Sequence, residues 1–184
     1  MLNYNGLKFT KMAIASLFKN TSHPFNLIIV DNASTEPGTK EYFDDLSKKY
    51  SNVIVHYNKQ PDSGFAEGNN TGLKYCDNDI ICLMNNDIIV PKKKEWLDIL
   101  LENFRDSKVA LVGCKLVYPN DTIQFAGGYL CKDAFTTLKC FYHRGRFEKI
   151  DMYSKREEIP QLTFAFVLAR KDIFGKLDEE YKIG

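Results

Sequence analysis

The feature that most constrains this chain is a short apolar run that stops abruptly at amides and an acid. Ile80-Ile81-Cys82-Leu83-Met84 is followed by Asn85-Asn86-Asp87. Five apolar residues of this kind suit a strand covered on both faces. The polar triplet then sits at the strand's carboxyl end, the edge at which open α/β sheets bind ligands. Asn-Asn-Asp is also turn chemistry, and alone it reads as a turn. It does not stand alone. Asn26 to Val30 (Asn-Leu-Ile-Ile-Val) runs into Asp31-Asn32-Ala33-Ser34-Thr35, and Val53 to Tyr57 runs into Asn58. A turn must be invoked three times, whereas one ligand cleft accounts for all three endings.

Between these strands lie helical patterns. Gly6 to Asn20 carries an apolar stripe through Leu7, Ile14, Leu17 and Phe18. Thr39 to Tyr50 has Tyr42, Phe43 and Leu46 on one side and a lysine-rich end that suits the helix dipole. Gln60 to Leu73 reads as a Gly/Asn-rich loop leading into a helix through about Cys76. Its glycines 64, 68 and 72 allow close backbone approach. No Gly-Lys-Ser/Thr follows, so it is not a Walker loop. Lys94 to Phe104 is a further helix, with Trp96 in the core. Val109 to Val117 and Ile123 to Tyr129 read as strands, the second with a glycine break. Residues 132–160 read as a long excursion without a period. Gln161 to Arg170 reads as a strand with Leu162, Phe164, Phe166 and Leu168 on one side, and Lys171 to Phe174 starts a short helix. Such alternation predicts a mainly parallel sheet with right-handed crossovers.

Length and charge narrow the function. The 184 residues suit one domain. With 25 basic and 24 acidic residues the net charge is +1, which gives no footprint for nucleic acid. No apolar run approaches the ~20 residues that span a bilayer, and the N-terminus lacks the regions of a signal peptide. Five cysteines without CxxC spacing read as reduced, mostly buried thiols in a cytoplasmic protein. The three histidines, far apart, give no zinc pattern. His143 beside Arg144 and Arg146, and the run Lys92 to Lys94, read first as solvated charge.

The ordered set of these pieces resembles glycosyltransferase family 2, especially its bacterial rhamnosyltransferase-like members. The pieces are Asn3-Tyr4-Asn5, Ile28 to Ser34, Gly64 to Gly72, Leu83 to Asp87, Val112 to Lys115 and Leu168 to Glu179. The resemblance implies the GT-A fold, a Rossmann-like α/β domain whose mainly parallel sheet has flanking helices. One domain would span residues 1–184, with a nucleotide-binding half at 1–90 and an acceptor-side half at 91–184. It implies that Tyr4 and Asn5 lie against the nucleotide base, that Asp31 hydrogen-bonds it, and that Asn58 belongs to the same rim. Gly64, Phe65, Gly68, Asn69 and Asn70 would line the nucleotide-sugar pocket. Asn85, Asn86 and Asp87 stand where the family has Asp-x-Asp. Asp87, with Asn85, would ligate Mg²⁺ or Mn²⁺, and Asn85 replaces the motif's first acid.

Two departures are expected. The family's first strand precedes Tyr4-Asn5 and is largely missing here. The family's catalytic base follows the phrase matching Leu177 to Tyr181 and is expected beyond Gly184. The implied donor is a nucleotide diphosphate sugar, and the implied acceptor a glycan or lipid-linked molecule of cell-surface polysaccharide synthesis. Placement is expected in the cytoplasm, with association at the inner membrane face and dimerisation both open. A non-catalytic nucleotide-sugar-binding or partner-dependent module is the second reading, and a nucleotidyltransferase the third.

Overall fold

In a computed structural model the chain is described at residues 1–59, 64–132 and 139–180, without the side chains of 132, 139 and 140. Residues 60–63 of the glycine segment, 133–138 of the excursion and the last four residues lie outside the description. Three parallel strands form one half of the sheet: β1 (Leu2–Asn3), β2 (Leu27–Asp31) and β3 (Val53–Tyr57), in the order β1-β2-β3. Leu2 is in register with Val30 and Asn3 with Asp31. The other half is antiparallel, with β10 (Phe166–Arg170) between β4 (Ile80–Met84) and β5 (Leu111–Gly113). A single parallel bridge, Leu2 to Asn85, joins the halves. The strands therefore run β3-β2-β1-β4-β10-β5. The first strand is short, as expected, and half the strands of an expected mainly parallel sheet lie in an antiparallel unit.

Helices α1 (Leu7–Asn20) and α2 (Thr39–Lys49) return the chain between the parallel strands. The core holds Ile14, Ile29 and Phe43, each at 1% exposure or less. Trp96 packs edge-on against Phe166 at 5.7 Å and donates its indole N–H to Thr21 Oγ1. This confirms its place in the core.

Several boundaries differ from the sequence reading, each for a physical reason. The glycine segment is helical from its first described residue: α3 spans Gly64–Leu73. Glycines four apart share one helix face, and that face lies close to the sheet. A Cβ on Gly68 would meet Leu2 and, at 2.9 Å, Asn32, while one on Gly72 would meet Val30 at 3.2 Å. Helix α4 starts only at Trp96, continuing to Leu101 and then as a 3₁₀ turn over Glu102–Arg105. The lysines before it, whose charge opposes the helix dipole, stay exposed. β10 begins at Phe166, opposite Met84 where β4 ends, and one further hydrogen bond, from the Asn85 N–H to the Ala165 carbonyl, closes the ladder. Phe166 to Ala169 are all buried, so no alternation shows. The stretch from 109 splits into β5 and β6 (Leu116–Val117). The next splits into β7 (Ile123–Phe125) and β8 (Gly128–Lys132). The excursion contains β9 (Lys139–His143), a hairpin partner of β8 whose Phe141 and Tyr142 are exposed. Short helix α5 (Lys171–Phe174) follows β10.

Candidate functional site

The carboxyl ends of β1, β2 and β3 share one rim, and β1 brings the end of β4 to it. Asn3, fully buried, ties them together. Its Nδ2 donates to Asp31 Oδ1 at 2.7 Å, and its Oδ1 accepts from Asn86 Nδ2 at 2.9 Å and Thr10 Oγ1 at 2.7 Å. The sequence reading did not single out Asn3 as a site residue. Its signal was its place beside Tyr4 and Asn5 at the end of an otherwise apolar strand.

Asp31 is buried and accepts three hydrogen bonds. Besides Asn3, it accepts from the Ser34 hydroxyl at 2.5 Å and the Ser34 backbone N–H at 3.0 Å. This folds the 31–36 turn back against the strand. Asn5 Oδ1 accepts from the Thr35 and Glu36 N–H groups, and Glu36 accepts from the Leu7 N–H at 2.8 Å. Glu36 thereby supplies the acid that α1 lacks in its own first turn. Asn5 and Gly6 both take left-handed backbone conformations to turn from β1 into α1. Asn86 Nδ2 lies within hydrogen-bond distance of the Asn5 carbonyl as well. Tyr4, between them, is 56% exposed and projects from the rim.

The neighbouring strand end joins the same network. Asn58 donates its backbone N–H to Asp31 O and its side chain to Asn32 Oδ1, and Asn32 Nδ2 donates to the Gly64 carbonyl. Gly64 is thus held at the rim by Asn32, whose side chain also lies close to Gly68 and which is a second residue that the sequence reading left out. Asn69 turns back to the Phe65 carbonyl within α3. Asn70 faces elsewhere: it exchanges hydrogen bonds with the Leu177 backbone and donates to Glu179 Oε1. The structure thus uses Asn70 to clasp the segment after α5.

Asp87 is the contrast. It is exposed, and among the described residues its carboxylate has no hydrogen bond or ion pair. No group of three or more His, Cys, Asp or Glu that could hold a metal occurs among the described residues. One free carboxylate with a neighbouring amide nevertheless fits a hard cation of the Mg²⁺ type. Such an ion takes one or two protein oxygens and fills its shell with water and phosphate.

The cysteines are free where described, but not deeply buried. Cys76, Cys114 and Cys131 are partly exposed. Cys82 is exposed along an open cavity beside β2 and β4, and desolvation by the surrounding protein pushes its thiol up to about 12.

An open sheet with an oxygen-rich rim at its strand ends is the frame of a ligand-binding α/β enzyme domain. The chain belongs to glycosyl transferase family 2, whose sequence model matches residues 1–178. It is 30% identical over 181 residues to the uncharacterized protein y4gI of Sinorhizobium fredii, covering 94% of this chain and 19% of that protein. It is 31% identical over 115 residues to the O-antigen biosynthesis protein RfbC of Myxococcus xanthus, covering 62% of this chain and 9% of that one. Two solved structures share the fold. The mannosyltransferase PcManGT from Pyrobaculum calidifontis, in complex with GDP-Man and Mn²⁺, superposes with a TM-score of 0.67 at 14% identity. The match covers 97% of this chain and 46% of that one. S. aureus TarS 1-349 with UDP gives 0.61 at 17% identity, covering 98% and 49%. The chain spans less than half the length of each of these proteins.

Proposed function

We propose that this chain forms the donor side of a glycosyltransferase that moves a sugar from a nucleotide diphosphate sugar to a glycan or lipid-linked acceptor in cell-surface polysaccharide synthesis. The observation that carries the reading is the Asn3 clasp, which gathers Asp31 and Asn86 onto one rim, with Asp87 beside them unpaired among the described residues. Asp31, buried and held by Asn3 and Ser34, fixes the 31–36 turn and keeps acceptor capacity on Oδ2 for the base. Exposed Tyr4 offers a ring face to the base. Gly68 keeps α3 close enough for its backbone to approach the sugar nucleotide. Asp87 with Asn85 would hold Mg²⁺ or Mn²⁺, which when bound neutralises charge on the leaving diphosphate. The transfer also needs a carboxylate to take the acceptor hydroxyl's proton. No described residue is assigned to it, and Glu179 is engaged with Asn70. Among the described residues no helix is long and apolar enough to cross a membrane. Action at the inner membrane face belongs to the proposal.

Titration calorimetry with UDP, GDP and dTDP, each with and without Mn²⁺, tests the donor site. Saturable, Mn²⁺-dependent binding of at least one is expected, and Asp87→Ala should weaken it at least tenfold with unchanged melting temperature. Absence of binding to all three by folded protein would overturn the reading. The replacement of the motif's first acid by Asn85 favours a second reading, a binding module without turnover. Incubation with the matching nucleotide sugar separates the cases: a transferase releases nucleoside diphosphate, a nucleotidyltransferase pyrophosphate, and a binding module neither.

A further inference from the structure

α1 has an outer face that the core does not use. Its 14 residues include three lysines and no acid. Leu7, Thr10, Ala13, Ile14 and Leu17 pack inward, while Lys8, Phe9, Met12, Ala15 and Lys19 are exposed. The segment after β4 runs beside this helix. At one end Asn86 Nδ2 reaches the Asn5 carbonyl and Thr10 Oγ1. At the other, Val90 donates its N–H to Ser16 Oγ at 3.1 Å and accepts from Asn20 Nδ2. Phe9 lies on the same helical stripe as Ser16 and Asn20. It and Asn86 both come within 4 Å of the point that a Cβ on Gly6 would occupy. Phe9, Met12 and Ile89 are each at least half exposed. The segment then delivers Lys92, Lys93 and Lys94, all exposed, to the C-terminal end of α1. There the Ser22 N–H and hydroxyl both donate to the Lys94 carbonyl, at 3.2 and 3.0 Å. Lys8, Lys19 and Lys92 to Lys94 are in no ion pair among the described residues. Of the acids around them, Asp98 is bound to His23 and Glu36 accepts from the Leu7 N–H, which leaves Glu95 and Asp87 at the borders. The net charge of the whole chain is +1, so the basic excess is local to this face.

We propose that this face docks on an anionic lipid bilayer. Two features together select that occupant. Lysines without acidic partners are drawn to a surface of negative headgroups, each adding to the attraction. Phe9, Met12 and Ile89, set among those lysines, suit shallow insertion at the boundary of headgroups and acyl chains. Lysine stems lie along such apolar groups while the ammonium stays in the headgroup layer. A nucleic acid would use the lysines and leave the three apolar side chains against water and phosphate. The main apolar face of α1 is packed into the core, so attachment is reversible and driven chiefly by charge. Docking also orients the candidate site. Ile89 follows Asp87 by two residues and Phe9 borders Asn86, so the rim comes to the level of the headgroups. A lipid-linked acceptor presents its reacting end there. The inference rests on the membrane-face reading proposed above and supplies its contact surface.

Co-sedimentation with vesicles tests the docking face, using phosphatidylcholine alone and phosphatidylcholine with one third phosphatidylglycerol. The chain should bind the mixed vesicles and stay in solution with the neutral ones. Binding should fall at least tenfold between about 0.1 M and about 1 M salt, as the Debye length shrinks from ~10 to ~3 Å. Lys92→Gln, Lys93→Gln and Lys94→Gln combined should weaken it roughly thirtyfold. Met12→Gln with Ile89→Gln should weaken it at least fivefold. Both variants should keep the parent's melting temperature and its affinity for nucleoside diphosphate. Lys48→Gln, Lys74→Gln and Lys108→Gln combined remove the same charge from exposed positions elsewhere and should bind as the parent does. Absence of binding to the mixed vesicles by folded protein, equal binding to neutral vesicles, or an equal loss in this last variant would overturn the proposal. So would tighter binding to a DNA duplex than to the mixed vesicles, which would assign the face to nucleic acid. Failure here with nucleotide binding intact sinks the docking face alone, because the calorimetry above decides the donor site separately.

Discussion

At the residue scale, the site depends on Asn3 more than on any residue that faces solvent. Its single amide satisfies a buried carboxylate on one side and accepts from two donors on the other. Removing one partner of a buried charged hydrogen bond leaves a desolvated group behind, which costs more than the bond itself contributes. Asn3→Ala should therefore lower stability by about 2–3 kcal/mol in urea unfolding. Asn3→Asp should cost more, because a second carboxylate would meet Asp31. The sequence offered Asp31 as a base contact because an acid at a strand's end is a ligand signal. It could not reveal that Ser34, three residues on, would engage both carboxylate oxygens. Asp87 offered the same residue type in the same kind of place, and only its surroundings set it apart.

Elements were legible where burial was one-sided or the run was short and bounded. β2, β3 and β4 each follow an apolar run that stops at a polar residue, and α1 and α2 show their stripes. Legibility failed where a different rule governed. Glycines at 64, 68 and 72 read as a loop, yet on a helix that spacing is a bare face, and α3 uses it to approach β1 and β2. The β8–β9 hairpin exposes aromatic residues and so lacks the alternation that marks a strand. The link between α2 and β3 makes a pH prediction. Lys40 and the Tyr57 hydroxyl both donate to Asp44, and these bonds, the lysine's first, hold its carboxyl below the usual value. A carboxyl lowered in the folded state contributes stability that is fully present above its unfolded pKa, about 3.9. That contribution is lost as pH falls through the lower folded value. Asp44→Asn should flatten the acid side of the stability–pH profile, measured by urea unfolding between pH 2 and 6, and leave the neutral side parallel to the parent.

For the whole molecule, the α/β class and the common rim follow from the order of strands and helices, because parallel strands put all their carboxyl ends on one side. The antiparallel half was hidden. β10 arrives from far along the chain, and nothing local to Phe166 to Arg170 records that it would insert between β4 and β5. The single rung between Leu2 and Asn85 has a mechanical corollary. Handles on the outermost strands, at Ile54 and Leu111, would load the sheet across that seam. An optical trap should then record a small first rip at low force, where the two halves tear apart like paper along a perforation, and larger rips later as each half unravels. A lone rip of full contour length would mean that the helices, not the rung, bear the strain.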